Sequence, residues 1–390
     1  MTQIADLPHF IITTIITALF FVLFGLMLYQ TLRKNRKAYV LTISIFVGGL
    51  GGILGMLQDL LAGASRYLLF YSLIVWSICY FLIYLFFEEL DTSKPNRLRL
   101  VVASILFMAS ILFNQLFLFI PGVSGSIIES LTNPTLISFF EDFSIFKRTL
   151  ELMWDGAYDG LGVFIFVFGA YVHFKSYKTN RELIPLFQAI ALIFIGIGFI
   201  SGFTGDVVRG VDFDFGLVGD ALKIVGMLVF SLIYIIRVDF IYRLPVDVFF
   251  IMVFTKTGLN VHISRVRNPR RKEWETITDR KTNENLLSAL ISAVSGLMKE
   301  SLGSEKPLET IVAKDRTFVL DSGDLATCAV LCERPTFFLE RSIKILRKSV
   351  ENQFHDSLKK SAINKADFDE VEQLIREVFP FLVIEQEIKL

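Results

Sequence analysis

Seven ionisable residues lie in or beside stretches that are otherwise apolar: Asp59, Asp155, Asp159, Asp206, Arg209, Asp220 and Lys223. A charge in a lipid-embedded helix costs free energy, so each is a functional candidate by default. Their positions at span ends put all seven on one side of the membrane, the outer one by the charge argument below. Asp220 and Lys223 are three residues apart and pair on one helix face. Two readings are open. These are solvated helix ends with one local ion pair, or they form an acidic outward vestibule that binds a cation or a small polar ligand. Lys223, in the last of seven spans, also invites comparison with a lysine that holds retinal. The third span, "YLLFYSLIVWSICYFLIYLF", offers no carboxylate counter-ion, and Lys223 sits nearer the outer end than mid-membrane, so the photoreceptor reading is disfavoured.

The elements that must position these residues are membrane helices. Of 390 residues, 53 % are hydrophobic and 39 are Phe, and mean hydropathy is +0.56. That composition exceeds ordinary soluble domains and points to the membrane class. Crossing ~30 Å of hydrocarbon takes about 20 apolar residues. Seven stretches qualify: Phe10 to Gln30, Val40 to Leu61, Tyr67 to Phe87, Leu100 to Ile120, Leu161 to Phe174 with a start blurred back to Ala157, Leu183 to Phe203, and Leu217 to Ile236. The first has no basic segment before it and "LRKNRK" after it, which predicts an uncleaved span and not a signal peptide.

Lysine and arginine in short loops set orientation. Arg33, Lys34, Arg36 and Lys37 fill the first loop, Lys94, Arg97 and Arg99 the third, and Lys175, Lys178 and Arg181 the fifth; the second and sixth loops hold only Arg66 and Arg209 in turn. This predicts an amino terminus outside and a cytosolic region after Tyr242. In the long fourth loop, Leu136, Phe139, Phe140 and Phe143 recur at helical spacing, which fits an interfacial helix or a lid over the bundle end. Within the spans, Gly48 with Gly52, Gly51 with Gly55, and Gly198 with Gly202 are small-xxx-small pairs and predict close helix packing.

After Pro245 the pattern shortens to strand and helix lengths. Val248 to Thr255 and Leu259 to Arg265 predict a hairpin turning at Gly258. A basic loop follows with Arg265, Arg267, Arg270, Arg271 and Lys272, candidates for contact with an anionic membrane surface or else a solvated linker. An amphipathic helix comes next, with Asn283 as cap, Gly303 as stop, and Leu286, Leu290, Val294 and Leu297 on its apolar face. Leu308 to Ala313, Thr317 to Leu320 and Leu325 to Leu331 predict three further strands. From Pro335 a long helix keeps Leu339, Ile343, Leu346, Val350, Phe354 and Leu358 on one face, and a last helix spans Ala366 to Phe379.

The hairpin "KTGLNVHISR", the helix "LLSALISAVSGLMKE" and the strand pair "LETIVAKDRTFVL", in the order β-β-α-β-β-β-α-α, resemble the longin fold of the wider longin and roadblock group, in particular archaeal members with a Gly-containing turn in the first hairpin. The resemblance covers Val246 to Leu358. It implies a five-stranded α+β domain that is a platform and not an enzyme, that dimerises, and that binds small GTPases or sorting proteins. The position is a departure, since trafficking longins usually come first in the chain, before a coiled coil.

The fold class expected is therefore a membrane all-α seven-helix bundle, residues 1–243, followed by a cytosolic α+β longin-like domain, residues 246–390. The function expected is a receptor-like or anchoring protein that recruits cytosolic partners, with a transporter bearing a regulatory tail as the alternative. No phosphate-binding loop, HExxH, GxSxG or kinase signature occurs, and a paired acid or histidine at mid-depth is not evident in the spans, so no catalytic residues, cofactor or metal are expected. His262 and His355 stand alone, and Cys79, Cys328 and Cys332 fit buried thiols better than ligands. A net charge of zero argues against a nucleic-acid partner.

Overall fold

The computed structural model describes residues 7–33, 39–61, 65–119, 144–207, 215–236, 244–266, 289–294, 308–313, 316–360, 365–380, 382 and 384. Seven helices among them are long and apolar enough to cross a membrane: α1 Leu7–Arg33, α2 Tyr39–Leu60, α3 Ser65–Asp91, α4 Arg97–Phe119, α5 Ser144–Asn180, α6 Leu183–Val207 and α7 Phe215–Ile236. This is the architecture of a multi-pass membrane protein. The chain divides into two compact units, residues 1–88, 95–173 and 186–238 in the first, and residues 89–94, 174–185 and 239–390 in the second.

In the first unit, hydroxyls on α1 are satisfied within their own helix, as Thr14 and Thr17 donate to the Phe10 and Thr13 carbonyls at 2.7 and 2.6 Å. The third helix is the hub. Its Trp76 meets Phe20 of α1 edge-on at 5.2 Å, and its Ser77 bonds Ser110 of α4 at 2.6 Å. Further along, its Tyr80 meets Phe166 of α5 and Phe199 of α6 at 5.8 and 5.4 Å.

Of the expected glycine pairs, Gly48, Gly52 and Gly198 stand where helices pack closely. A Cβ on Gly48 would strike Phe20, one on Gly52 would strike Thr17, and one on Gly198 would lie 2.6 Å from the Gly219 carbonyl oxygen of α7. One helix departs from expectation: α5 has 37 residues and begins at Ser144, well before the expected start at Leu161 or Ala157. The proposed interfacial helix around Leu136 to Phe143 lies outside the described residues.

In the second unit, β1 Val248–Thr255, β2 Asn260–Arg265, β3 Thr310–Ala313, β4 Arg316–Ser322 and β5 Ala326–Cys332 form one antiparallel sheet of order β2-β1-β5-β4-β3. Gly258 turns the hairpin at φ +86°, and a Cβ there would lie 2.9 Å from Cβ of Ser292, so both conformation and space require glycine.

Alternation splits the sheet residues between two cores. One face, with Met252, Phe254, Leu320 and Ala329, clusters with Ile291. Residues 289–294 are helical, but buried Ile291 faces this core while Leu290 is 61 % exposed, which corrects the expected apolar face. Two stripes in "LLSALISAVSGL" carry helical spacing, and contact with the sheet selects the other one.

The opposite sheet face is covered by α8 Phe337–Gln353. Thr336 caps α8, its hydroxyl accepting from the Leu339 amide at 3.2 Å. Helix α9 His355–Leu358, a 3₁₀ turn Lys365–Phe368 and α10 Val371–Val378 complete the unit. The apolar stripe from Leu339 to Leu358 is buried as expected, but the helix breaks at Phe354, at φ −111° and ψ 21°.

Candidate functional site

Two of the seven charged candidates form the expected pair, with Lys223 Nζ 3.0 Å from Asp220 Oδ1. A third joins them through a glycine. Cβ added at Gly202 would lie 3.9 Å from both Asp159 Oδ2 and Lys223 Nζ, so α5, α6 and α7 bring these charges to one level. The register that does this is set by bare backbone: Gly198 sits against Gly219, and Gly226 sits 2.5 Å, by its would-be Cβ, from the Ala191 carbonyl oxygen. Lys223 Nζ lies 4.8 Å over the Phe199 ring. Behind that ring, Tyr158 and Tyr80 hydroxyls meet at 3.4 Å.

Asp155 is half-buried one turn before Asp159 on α5, and Asp59 is buried near the end of α2. Asp206 is the last but one residue of α6, and Arg209 lies outside the described residues.

A groove of about 580 Å³ runs down α5 from Gly156 to Tyr171 beside Phe199, Ile200 and Phe203 of α6, with Asp159 in its lining. Its size falls within the range of about 300–1,000 Å³ usual for small-molecule sites.

Sequence reasoning missed two polar residues inside the bundle. His173 on α5 and Gln188 on α6 are 1 % and 0 % exposed. Neither ring nitrogen of His173 and neither amide atom of Gln188 bonds to a described group. His173 instead meets Phe87 and Phe230 edge-on at 5.9 and 6.1 Å. The α6–α7 register that pairs 191 with 226 and 198 with 219 puts Gln188 level with Val229 and Phe230, the second being a ring that His173 meets. The fifth span therefore holds a buried histidine near its end, at the last but one residue of the expected stretch Leu161 to Phe174. The signal was a polar letter in "AYVHFKS" and "LFQAIAL", which hydropathy averages away.

In the sheet unit, Asp91 at the end of α3 is the centre of an ion cluster. Its Oδ1 accepts from Arg334 at 2.6 Å and from Lys175 at 3.3 Å. Next to it the Thr92 carbonyl accepts from the Phe337 amide at 3.3 Å, and Asn180 Nδ2 donates to the Leu244 carbonyl at 3.3 Å.

A second cluster closes the β4–β5 turn. Arg347 bonds Asp321 and Glu351 at 2.6 Å each, and Glu351 Oε1 accepts from the Leu325 and Ala326 amides at 2.9 and 3.2 Å. Burial alone would raise the Glu351 carboxyl, but those two amides and the Arg347 guanidinium outweigh it and hold the carboxyl below its ordinary value. Burial pushes the Cys328 thiol up, and the Cys332 thiol up to about 12, so neither is a nucleophile at neutral pH.

Of the basic loop, Arg265 is exposed at the end of β2; Arg267, Arg270, Arg271 and Lys272 lie outside the described residues. Among the described residues no group of His, Cys, Asp and Glu is arranged to hold a metal. Comparison with known proteins finds no matching family model, no matching curated protein and no matching solved structure.

Proposed function

We propose that this chain is a receptor-like or anchoring membrane protein whose five-stranded domain recruits a cytosolic partner, of small-GTPase type by the longin-like element order. One observation carries the reading. The compact unit that contains the sheet also contains residues 89–94 and 174–185, bound into it through Asp91, Thr92, Lys175 and Asn180. The ends of α3 and α5 thus belong to the sheet unit. An inert anchor needs only a tether. Sharing two helices suits a domain whose surface is to respond to the membrane.

Recruitment is tested with the detergent-solubilised full chain as bait for small GTPases from the same cell, loaded with GTP or GDP. Retention that depends on the nucleotide supports the reading, and equal or absent retention overturns the GTPase assignment. Orientation is tested separately. In a background without native cysteines, Asn35→Cys is expected to be shielded from an impermeant thiol reagent while Gly125→Cys is labelled, and the reverse pattern would move the sheet unit to the outside.

A further inference from the structure

Both ring nitrogens of His173 on α5 and both amide atoms of Gln188 on α6 are buried without a bond to a described group. Two sets of helix contacts show that these residues share a level. Between α5 and α6, Gly162 sits against Phe199, Gly202 against Asp159 and Gly196 against Val167. These antiparallel pairs put residue 173 level with residues 188 to 190. Between α6 and α7, Gly198 sits against Gly219 and Gly226 against Ala191, which puts Gln188 level with Val229 and Phe230. The Phe230 ring is also one that His173 meets, at 6.1 Å. Three helices therefore agree on one layer.

The rings beside His173 offer at most a weak N–H···π contact in place of a hydrogen bond. Inside a membrane such groups are re-satisfied by neighbouring helices or by ordered water, because leaving them bare forfeits their full desolvation cost. The four atoms select the guest. A neutral imidazole offers one donor and one acceptor, and a primary amide offers two donors and an acceptor. A guest that serves both side chains must itself donate and accept. Since His173 is 1 % and Gln188 0 % exposed, it must also be small, as a larger molecule would part the helices. One imidazole and one amide fall short of the four ligands usual for zinc. Water meets the terms: it needs two to four polar partners and only about 10–15 Å³ by probe volume.

We propose that His173 and Gln188 hold water inside the bundle, at an enclosed hydration site that ties α5 to α6 at the level of Phe230. The assignment does not depend on partner recruitment by the sheet unit, so either can fail without the other.

The test uses the full chain, with nitrogen-15 in its histidines, in nanodiscs of deuterated phosphatidylcholine. The chain has only four histidines, and His173→Phe identifies the signal of interest by its loss. Solid-state NMR reads the magnetisation that passes from water to each ring, with His355, whose side chain is 51 % exposed, as the hydrated reference. His173 is expected to receive magnetisation from water in spite of its burial, with ring-nitrogen shifts of a hydrogen-bonded site. Gln188→Leu is expected to remove that transfer and leave the other histidines unchanged, whereas Gln188→Asn, which keeps an amide, retains it. An expelled water regains its freedom, so the readout does not rest on a change in stability. Gln188→Met serves if Gln188→Leu does not fold. No transfer to His173 in the parent would show a dry site and overturn the proposal. Undiminished transfer in the folded apolar variants would show that the glutamine holds no water, with the same result. Bonded ring shifts without transfer would identify a direct bond between histidine and glutamine, which also overturns it.

Discussion

At Gly198 one added methyl would land 2.6 Å from the Gly219 carbonyl oxygen, a backbone atom that can move only if two helices separate. Gly198→Ala is therefore expected to destabilise the solubilised protein by about 1–3 kcal/mol, seen as a lower thermal midpoint. Gly160→Ala, with its nearest neighbour at 3.7 Å, is expected to be close to neutral. The sequence showed the 198/202 spacing but could not separate these two kinds of glycine, because the difference lies in what stands opposite. The Asp220–Lys223 pair was legible, since both partners sit on one helix. The convergence of Asp159 on Lys223 was not, since it depends on the register between helices. His173 and Gln188 make the same point from the other side. As their polar atoms bond to no described group, Gln188→Leu is expected to stay within about 1 kcal/mol of the parent or to exceed it. A drop well beyond that in a chemical-denaturation series would show that the amide has a partner that matters.

Among the elements, strands and long helices were the legible part. All five strands lie within two residues of expectation, because the apolar runs are of strand length and the turns between them are polar. The first turns of α5 were not, because "KRTLELMWDGAYD" carries charges that a hydropathy window rejects, although the helix continues through them. Nor was the role of Glu351, which faces the turn ahead of β5 from the last turns of α8. Its folded-state carboxyl lies below the ordinary value, so its stabilising contribution is complete above that value, near 4.5, and is lost as pH falls through the folded one. Glu351→Gln is expected to lower stability at pH 7 by about 1–3 kcal/mol. The gap between parent and variant should then narrow below pH 4.5. Melting curves across pH 3 to 7 check both parts, and a gap that widens in acid would contradict the assignment.

For the whole molecule, a linear sequence suggests a bundle and then a domain, with a boundary between residues 243 and 246. The compact unit around the sheet instead gathers three separate segments, and nothing in hydropathy marks the tips of α3 and α5 as belonging to it. A fragment of residues 246–390 lacks Asp91, Lys175 and Asn180 and leaves Arg334 without its partner. Its sheet is expected to form, but with faster amide exchange in the first turns of α8 than in the full chain. Hydrogen exchange read by mass spectrometry on both proteins decides this, and equal protection would mean the added segments contribute nothing to the unit.

All three cysteines are buried, Cys79 in α3 of the first unit and Cys328 and Cys332 in the central strand of the second. A thiol so enclosed reacts only when the structure around it opens. Each unit thus carries its own clock: the rate at which a small alkylating reagent reaches Cys79 times the opening of the membrane helices, and the rate at Cys328 times the parting of α8 from the sheet. Without any engineered label, the native chain records which of its two halves comes apart first.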